Sequence, residues 1–400
     1  CRGDLDALAA HLGVPVLRGP EELKDIPQHF GRRGGPPDLA RHDIAIFAEI
    51  VDAPRMALAA IVERAQRYRA SGADVIDLGC LPDTPFPHLE DAVRALKGAG
   101  FAVSVDSLES EELLRGGRAG ADYLLSLKED TLWIADEVAS TPVLIPATPH
   151  DLDSLLRAIE AVRARGCAFL ADPILEPIHF GFTESLLRYR DLRSAHPDVS
   201  IMMGTGNVTE LTDADTSGIT ALLAGIMSEL RVGAMLTTEV SPHCRRAVAE
   251  ADVARRVMYA AREESSLPRD YSADLLTVHA RKPFPDSPQE IAETAAAVKD
   301  PSYRIQVAED GIHVYNRDGR RVAADPFDLF SGLGVENDGG HAFYLGVELA
   351  RAQIAWQLGK RYAQDQELDW GVAAERRRGN LSAHHAPGAT LGERAKRGGQ

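Results

Sequence analysis

Acceptor side chains recur in this 400-residue chain where short apolar runs end: Glu49, Asp77, Asp106, Ser126, Asp172 with Glu176, Asn207, and Glu239 with Ser241 and His243. In "GFAVSVDSLESEELLRGG" the run Ala102 to Val105 closes on Asp106 and turns at once into a helical pattern. A strand buried on both faces is nearly all hydrophobic, so such an acid is either a helix cap or a ligand group. Ser107 can serve the helix entrance itself, with Ser110 and Glu111 in the first turn, which frees Asp106 to act as a ligand. Asp172, followed by Pro173, is biased toward an extended conformation at a strand tip; a structural turn carboxylate is the equal alternative. Asp77, two residues before Gly79, reads more readily as a buried structural acid, with Gly79 letting a ligand or another backbone come close. "MMGTGNVTEL" places two glycines around Thr205 just before Asn207, whose amide both donates and accepts. It is neither a dinucleotide fingerprint nor a Walker loop. Two inward carboxylates and one amide suit a flat heterocycle with a guanidine-like edge, whose N–H donors pair bidentately with carboxylate oxygens. At neutral pH both acids are expected to be ionised unless burial raises them. A glycosidase also pairs carboxylates, but sugar sites use stacking aromatics, and aromatic residues are only 6% of the chain.

The elements that must carry these residues follow a repeat. From Asp43 a turn, a short β-branched run, a polar residue and an amphipathic helix recur, with strands expected at 44–49, 75–78, 102–105, 123–127, 143–145, 168–171, 200–203 and 234–237. Four are entered through the joints "SGADVIDLG", "GAGFAVSVD", "AGADYLLSL" and "RVGAMLTTE", where glycine is expected as a left-handed helix C-cap. Eight βα units in about 220 residues imply a closed (β/α)8 TIM barrel, α/β in class, with an open doubly wound sheet as the alternative. Around it we expect four regions: 1–40, the remnant of an N-terminal α/β domain whose beginning lies upstream; 41–264, the barrel; 265–375, a smaller C-terminal α/β domain; and 376–400, a disordered tail. In the C-terminal region "LLTVHARKPFPDSPQEIAETAAAVKD" reads as strand, turn and helix, "YRIQVAEDGIHVYNRDGRRV" as a hairpin, and "HAFYLGVELARAQIAWQLGKRY" as a long helix.

Composition excludes several classes. With 44 basic against 60 acidic residues the net charge is −16, which argues against nucleic acid as a partner. No apolar run approaches a membrane span and no signal-peptide pattern opens the chain, so a cytoplasmic location and no membrane partner are expected. Cys1, Cys80, Cys167 and Cys244 form no CxxC pair and are expected as buried free thiols.

Together "GADVIDLG", "VSVDS", "GADYLLSL", "ADPILEPIHFGFTESL" and "MMGTGNVTEL" resemble the pterin-binding barrels of dihydropteroate synthases and pterin-dependent methyltransferases, over about Asp43 to Asp252. The chain looks more closely like the dihydropteroate synthase-related branch associated with tetrahydromethanopterin, whose extra domain is similar to "YLGVELARAQIAWQLGKRYAQDQELDWG". The resemblance implies that Asp106 and Asp172 hold the pterin, which is the substrate. The family's fourth-strand Asn falls near Leu125 or Ser126; its first-strand Asn is replaced by Glu49, and its seventh-strand Lys by Asn207, which matches the amide that the methyltransferases set beside the pterin N5. In place of its Arg-x-His pair stands "TTEVSPHCRR", where His243, Arg245 and Arg246 are candidate phosphate contacts in a different register. Asp77, Ser126, Glu49 and Glu176 complete the candidate substrate-binding set, and no residues are assigned to a metal. The implied function is a transferase joining a dihydropterin methyl diphosphate to a ribosylated arylamine, a step of one-carbon cofactor biosynthesis that needs cations or Mg2+ at the departing oxygens. The alternatives are a pterin-dependent methyltransferase and a pterin-binding protein without turnover. The expected partners are small molecules, pterin and arylamine, with a homodimer as the candidate assembly.

Overall fold

The computed structural model describes residues 5–19, 26–30 and 38–375. Its described residues divide into two compact units, one over 38–275 and the other holding 276–375 together with the described N-terminal residues.

The first unit is a (β/α)8 TIM barrel. Its strands are β1 (Ala45–Ile50), β2 (Val75–Gly79), β3 (Ala102–Asp106), β4 (Tyr123–Leu127), β5 (Thr141–Leu144), β6 (Leu170–Ala171), β7 (Met202–Gly204) and β8 (Ala234–Thr238). All pair in parallel in the order β6-β5-β4-β3-β2-β1-β8-β7. A bridge from Ala171 to Ile201 joins the two ends, closing the sheet and removing the open-sheet alternative. Helices follow seven of the strands, among them Leu58–Ala70, Leu89–Gly98, Ser110–Ala119, Leu152–Ala164, Phe182–Ala195, Thr216–Glu229 and Ala247–Glu263. The link from β4 to β5 is instead a 3-10 segment, Glu129–Asp136, which buries Leu132 and Ile134. Only thirteen residues separate those two strands, too few for a full helix and two loops.

Glycine ends the preceding helix in the left-handed region at three of the four expected joints, with φ of +109° at Gly72, +78° at Gly100 and +103° at Gly120. At the fourth it is Arg231, at φ +53°, that takes the turn, and Gly233 does not.

Inside the barrel, strand alternation builds layers. Phe47, Val75, Leu125, Val143, Met202 and Ala234, with Ala45, Ala102, Tyr123, Leu170 and Leu236 against them, form an apolar plug. Two residues further along stand Glu49, Asp77, Ser104 and Thr238 on their strands and Asp172 just past the end of β6. The plug and the polar layer above it are thus one consequence of a period of two.

In the other unit, β9 (Arg304–Ala308), β10 (Gly311–Asn316) and β11 (Gly319–Ala323) form an antiparallel meander against the helix Gly339–Leu358. There are two hairpins rather than one, each turning at an Asp-Gly pair, with φ of +136° at Gly311 and +138° at Gly319. The strand expected at "LLTVHA" does not form. Its backbone is taken by the end of the long helix: the Lys360 ammonium donates to the Thr277 and Val278 carbonyls, and Ala280 N–H to Gly359 O. Of the N-terminal region, the structure describes a helix at Leu5–Leu12 and another at Ile26–His29. The tail 376–400 lies outside the described residues. Among the described residues no helix is long and apolar enough to cross a membrane. Cys80 is half-buried and Cys244 buried, but Cys167 is exposed, because it lies in the turn that follows the helix Leu152–Ala164; all three are free thiols.

Candidate functional site

A cavity of about 470 Å3 opens at the C-terminal ends of the barrel strands. Its polar lining includes Glu49, Asp106, Ser126, Asp172, Asn207, Glu210 and Thr238, and its apolar lining includes Leu108, Leu125, Val143, Ile145, Ile174, Met202, Leu211 and Leu236. This volume is in the range of small-molecule sites.

Asp106 reaches this cavity because the helix after β3 does not need it. Ser107 Oγ accepts from Glu109 N–H at 3.0 Å and donates to Glu112 Oε2 at 2.6 Å. Asp172 plays both parts that its sequence context allowed. One oxygen, Oδ1, accepts from Ile174 N–H at 2.7 Å in a turn and from the Tyr189 hydroxyl at 2.6 Å, while the residue lines the cavity. Asn207 donates its Nδ2 to Leu175 O at 2.7 Å, which leaves its Oδ1 for a ligand. Ser126 lies in the wall, where the pairing of β4 with β5 shifts register between Leu125 and Leu127.

Asp77 is fully buried beneath the cavity, and its Oδ1 accepts from the Ser104 hydroxyl at 2.5 Å. Register places Asp77 beside Glu49 on one side and Ser104 on the other. Gly79 makes room for Glu49: a Cβ there would meet Glu49 Oε1 at 2.7 Å and Val51 Cα at 3.1 Å. The close approach that this glycine permits is therefore by a side chain of the same barrel.

Three candidates lie elsewhere. Glu176 is buried and paired with Arg188 at 2.7 Å, packed where Gly181, at φ +125°, leaves space for it. His243 contacts Thr209 O at 3.1 Å through Nε2, and Arg245 is exposed. None of the three lines the cavity, whose described lining contains no Lys, Arg or His. The reason for His243 and Arg245 is that "SPHC" winds into a 3-10 turn, Pro242–Cys244, directly after β8. Glu210 holds that loop by accepting from Val240 and Ser241 N–H at 2.9 and 2.8 Å.

Electrostatically the mouth is unusual. Burial, then the Asp77 and Glu210 charges, push Glu49 up to about 8. Burial pushes Asp77 up to about 7 against the lowering hydrogen bond from Ser104. Asp106 stands well above the ordinary carboxylate range through burial and the charges of Asp77, Glu49 and Asp172. Asp172 rises to about 6, burial outweighing the Tyr189 and Ile174 hydrogen bonds. Burial is the exception that the expectation of ionised carboxylates allowed for, and it falls most heavily on Asp106: so many like charges in a poorly hydrated layer stay together only with protons or a bound positive charge. Hard carboxylate oxygens with no His or Cys among them fit Mg2+ chemically.

Alternation alone could have found two residues that the sequence reading missed, since Ser104 and Thr238 share their inward faces with Asp106 and Leu236. Tyr189 carried no signal; in a helix it reads as core.

No protein-family model matches the chain. An uncharacterized protein of Methanocaldococcus jannaschii is 28% identical over 365 residues, spanning 81% of this chain and 69% of its own length. Among solved structures, Yersinia pestis dihydropteroate synthase with a pterine-sulfa conjugate is 19% identical, covering 56% of this chain and 96% of its own, at a TM-score of 0.45. Anaplasma phagocytophilum dihydropteroate synthase with bound 6-hydroxymethylpterin-monophosphate is 17% identical over 54% of this chain and 98% of its own, at 0.41.

Proposed function

We propose that the barrel mouth binds a reduced pterin and that the protein is a transferase of the dihydropteroate synthase type, joining a dihydropterin methyl diphosphate to a ribosylated arylamine in tetrahydromethanopterin biosynthesis. The observation that carries this reading is that Asp106 and Asp172 open on one cavity, together with Asn207 and between apolar walls. A planar ring lies between such walls, while carboxylate oxygens accept from its amino-substituted edge and the Asn207 Oδ1 accepts from a ring N–H. Replacing ring hydration by these fixed acceptors orients the methylene carbon toward the open end of the barrel, where an amine arrives. The leaving diphosphate needs positive charge, which no Lys, Arg or His of the described lining supplies. A divalent cation, when bound, supplies charge neutralisation of that kind.

Calorimetry with dihydropterin derivatives tests the binding half. Asp106→Ala is expected to weaken binding by about 2 to 4 kcal/mol, roughly thirtyfold or more, through loss of a charge-assisted contact. Incubation with both substrates and Mg2+, read by mass spectrometry, tests the transfer half; no condensed product would count against it.

The missing cationic lining and the presence of Asn207 favour one second reading, methyl transfer from a reduced pterin to a corrinoid or thiol. Mixing with methylated pterin and either cob(I)alamin or a thiol should then give methylcobalamin, seen in the corrinoid spectrum, or a thioether, seen by mass spectrometry, and the absence of both removes this reading.

A further inference from the structure

We propose that Glu49, Asp77 and Asp106 form a binding site for one divalent cation of the Mg2+ or Mn2+ type at the floor of the barrel mouth, with the Thr238 hydroxyl beside it. One carboxylate oxygen from each of the three acids lies within 4.8 Å of the others. Oxygens sharing a single hard cation at about 2.1 to 2.4 Å stand roughly 3 to 4.8 Å apart, so the spacing needs no rearrangement of the strands.

Acidic clusters are common, and spacing alone would not suffice. The second observation is a pair of buried polar atoms. Among the described residues, the buried side-chain oxygens and nitrogens that make no hydrogen bond are Asp77 Oδ2 and Thr238 Oγ1. Both flank Glu49: Asp77 is its register partner on β2 and Thr238 its register partner on β8. A buried oxygen without a partner is destabilising, because it gives up its hydrogen bonds to water and gains none in return. That both such atoms fall on the two strands beside one carboxylate is accounted for by a ligand that takes oxygen lone pairs, and the convergence of three carboxylates on the same point favours a cation over a neutral N–H or O–H donor in that role. Access is available, since Glu49, Asp106 and Thr238 line the cavity and Asp77 lies directly beneath. The donor set is all oxygen, which selects a hard ion over zinc or copper. Gly79 belongs to the same arrangement, because any side chain there would displace Glu49 Oε1 from its position over β2.

The site does not rest on the pterin reading, and the ion can be tested by itself. The whole chain, freed of metal with a chelator, is titrated with Mn2+ at constant ionic strength while free Mn2+ is followed by electron paramagnetic resonance. The expected result is one saturable site per chain from which Mg2+ displaces Mn2+. Glu49→Gln and Asp106→Asn are each expected to weaken that site about tenfold or more, and Glu63→Gln, an exposed acid on the helix Leu58–Ala70, to leave it unchanged. Absence of a saturable site, or equal affinity in Glu49→Gln and wild type, overturns the proposal. Should the variants fail to fold by circular dichroism, an anomalous-scattering map of Mn2+-soaked wild-type crystals decides: a peak bounded by the three carboxylates sustains the proposal, and a peak elsewhere or none overturns it. A protein that binds Mn2+ here yet ignores pterins would refute the proposed function while leaving this site standing.

Discussion

Asp172 shows how one side chain couples ligand binding to pH. Its ordinary value near 4 is raised to about 6 by burial, while Tyr189 and the Ile174 amide pull the other way. Since the folded state holds the proton more tightly than the unfolded chain, this group's contribution to stability is complete below the unfolded value and is lost as pH rises through about 6. Ligand donors prefer the ionised form, so the affinity for a pterin should fall as pH drops through about 6, measurable by calorimetry across pH 5 to 8. Tyr189→Phe removes the 2.6 Å hydrogen bond to Oδ1 and should move that acid limb upward in pH. An acid limb that stays in place in Tyr189→Phe would show that Asp172 does not govern it. At this scale the sequence was partly legible. Acids at strand tips announce Asp106 and Asp172, because few physical roles put a charge there. Glu176 looked the same in one dimension, yet it meets Arg188, twelve residues further along, a partner that only the folded helix Phe182–Ala195 brings within reach.

Elements hold these residues through the opposite end of the barrel as well. Arg255, on the helix Ala247–Glu263, is 1% exposed and donates to Ile44 O and Gly72 O, and to the carboxylates of Asp74 and Asp252. Asp74 Oδ2 also accepts from Ile46 N–H at 2.8 Å, so one guanidinium ties the last barrel helix to the entrances of β1 and β2. Arg255→Ala empties a buried site and leaves the Ile44 carbonyl without its donor, while Asp74 and Asp252 are open enough to be hydrated, and it is expected to cost about 2 to 4 kcal/mol in chemical denaturation. Gly79→Ala should lower stability more modestly, by about 1 to 3 kcal/mol, because the added methyl overlaps Glu49 Oε1 and the Val51 backbone. The strands were readable because each is a short apolar run, β-branched in β1, β2, β3, β5 and β8, set off by turn residues or charge, and the boundaries fell within a residue or two. The Glu129–Asp136 segment was not, since amphipathic spacing does not distinguish a short 3-10 link from a helix. The strand at "LLTVHA" failed for another reason: β-propensity needs a partner edge, and Lys360 and Gly359 take those carbonyls and amides instead.

At the scale of the whole molecule each of the two units has its own apolar core. In the smaller-sheet unit Glu348 is 2% exposed and accepts from the Tyr362 hydroxyl at 2.7 Å, Arg351 at 2.7 Å and Asp365 N–H at 3.0 Å. Tyr362→Phe should cost about 1 to 3 kcal/mol there. Hydrogen exchange is expected to quicken across β9, β10 and the helix Gly339–Leu358 while the barrel strands keep their protection; loosening of both units together would contradict this.

The apolar plug under the carboxylate layer has a kinetic corollary. It closes the barrel interior below the carboxylates, so the cavity described above opens upward, at the C-terminal ends of the strands. An ion seated on the floor must arrive before a ring that settles above it and can depart only after that ring has gone. Loading is then compulsory in sequence, and escape of Mn2+ should slow sharply once a pterin stoppers the cavity, a trapping that stopped-flow chelation would reveal.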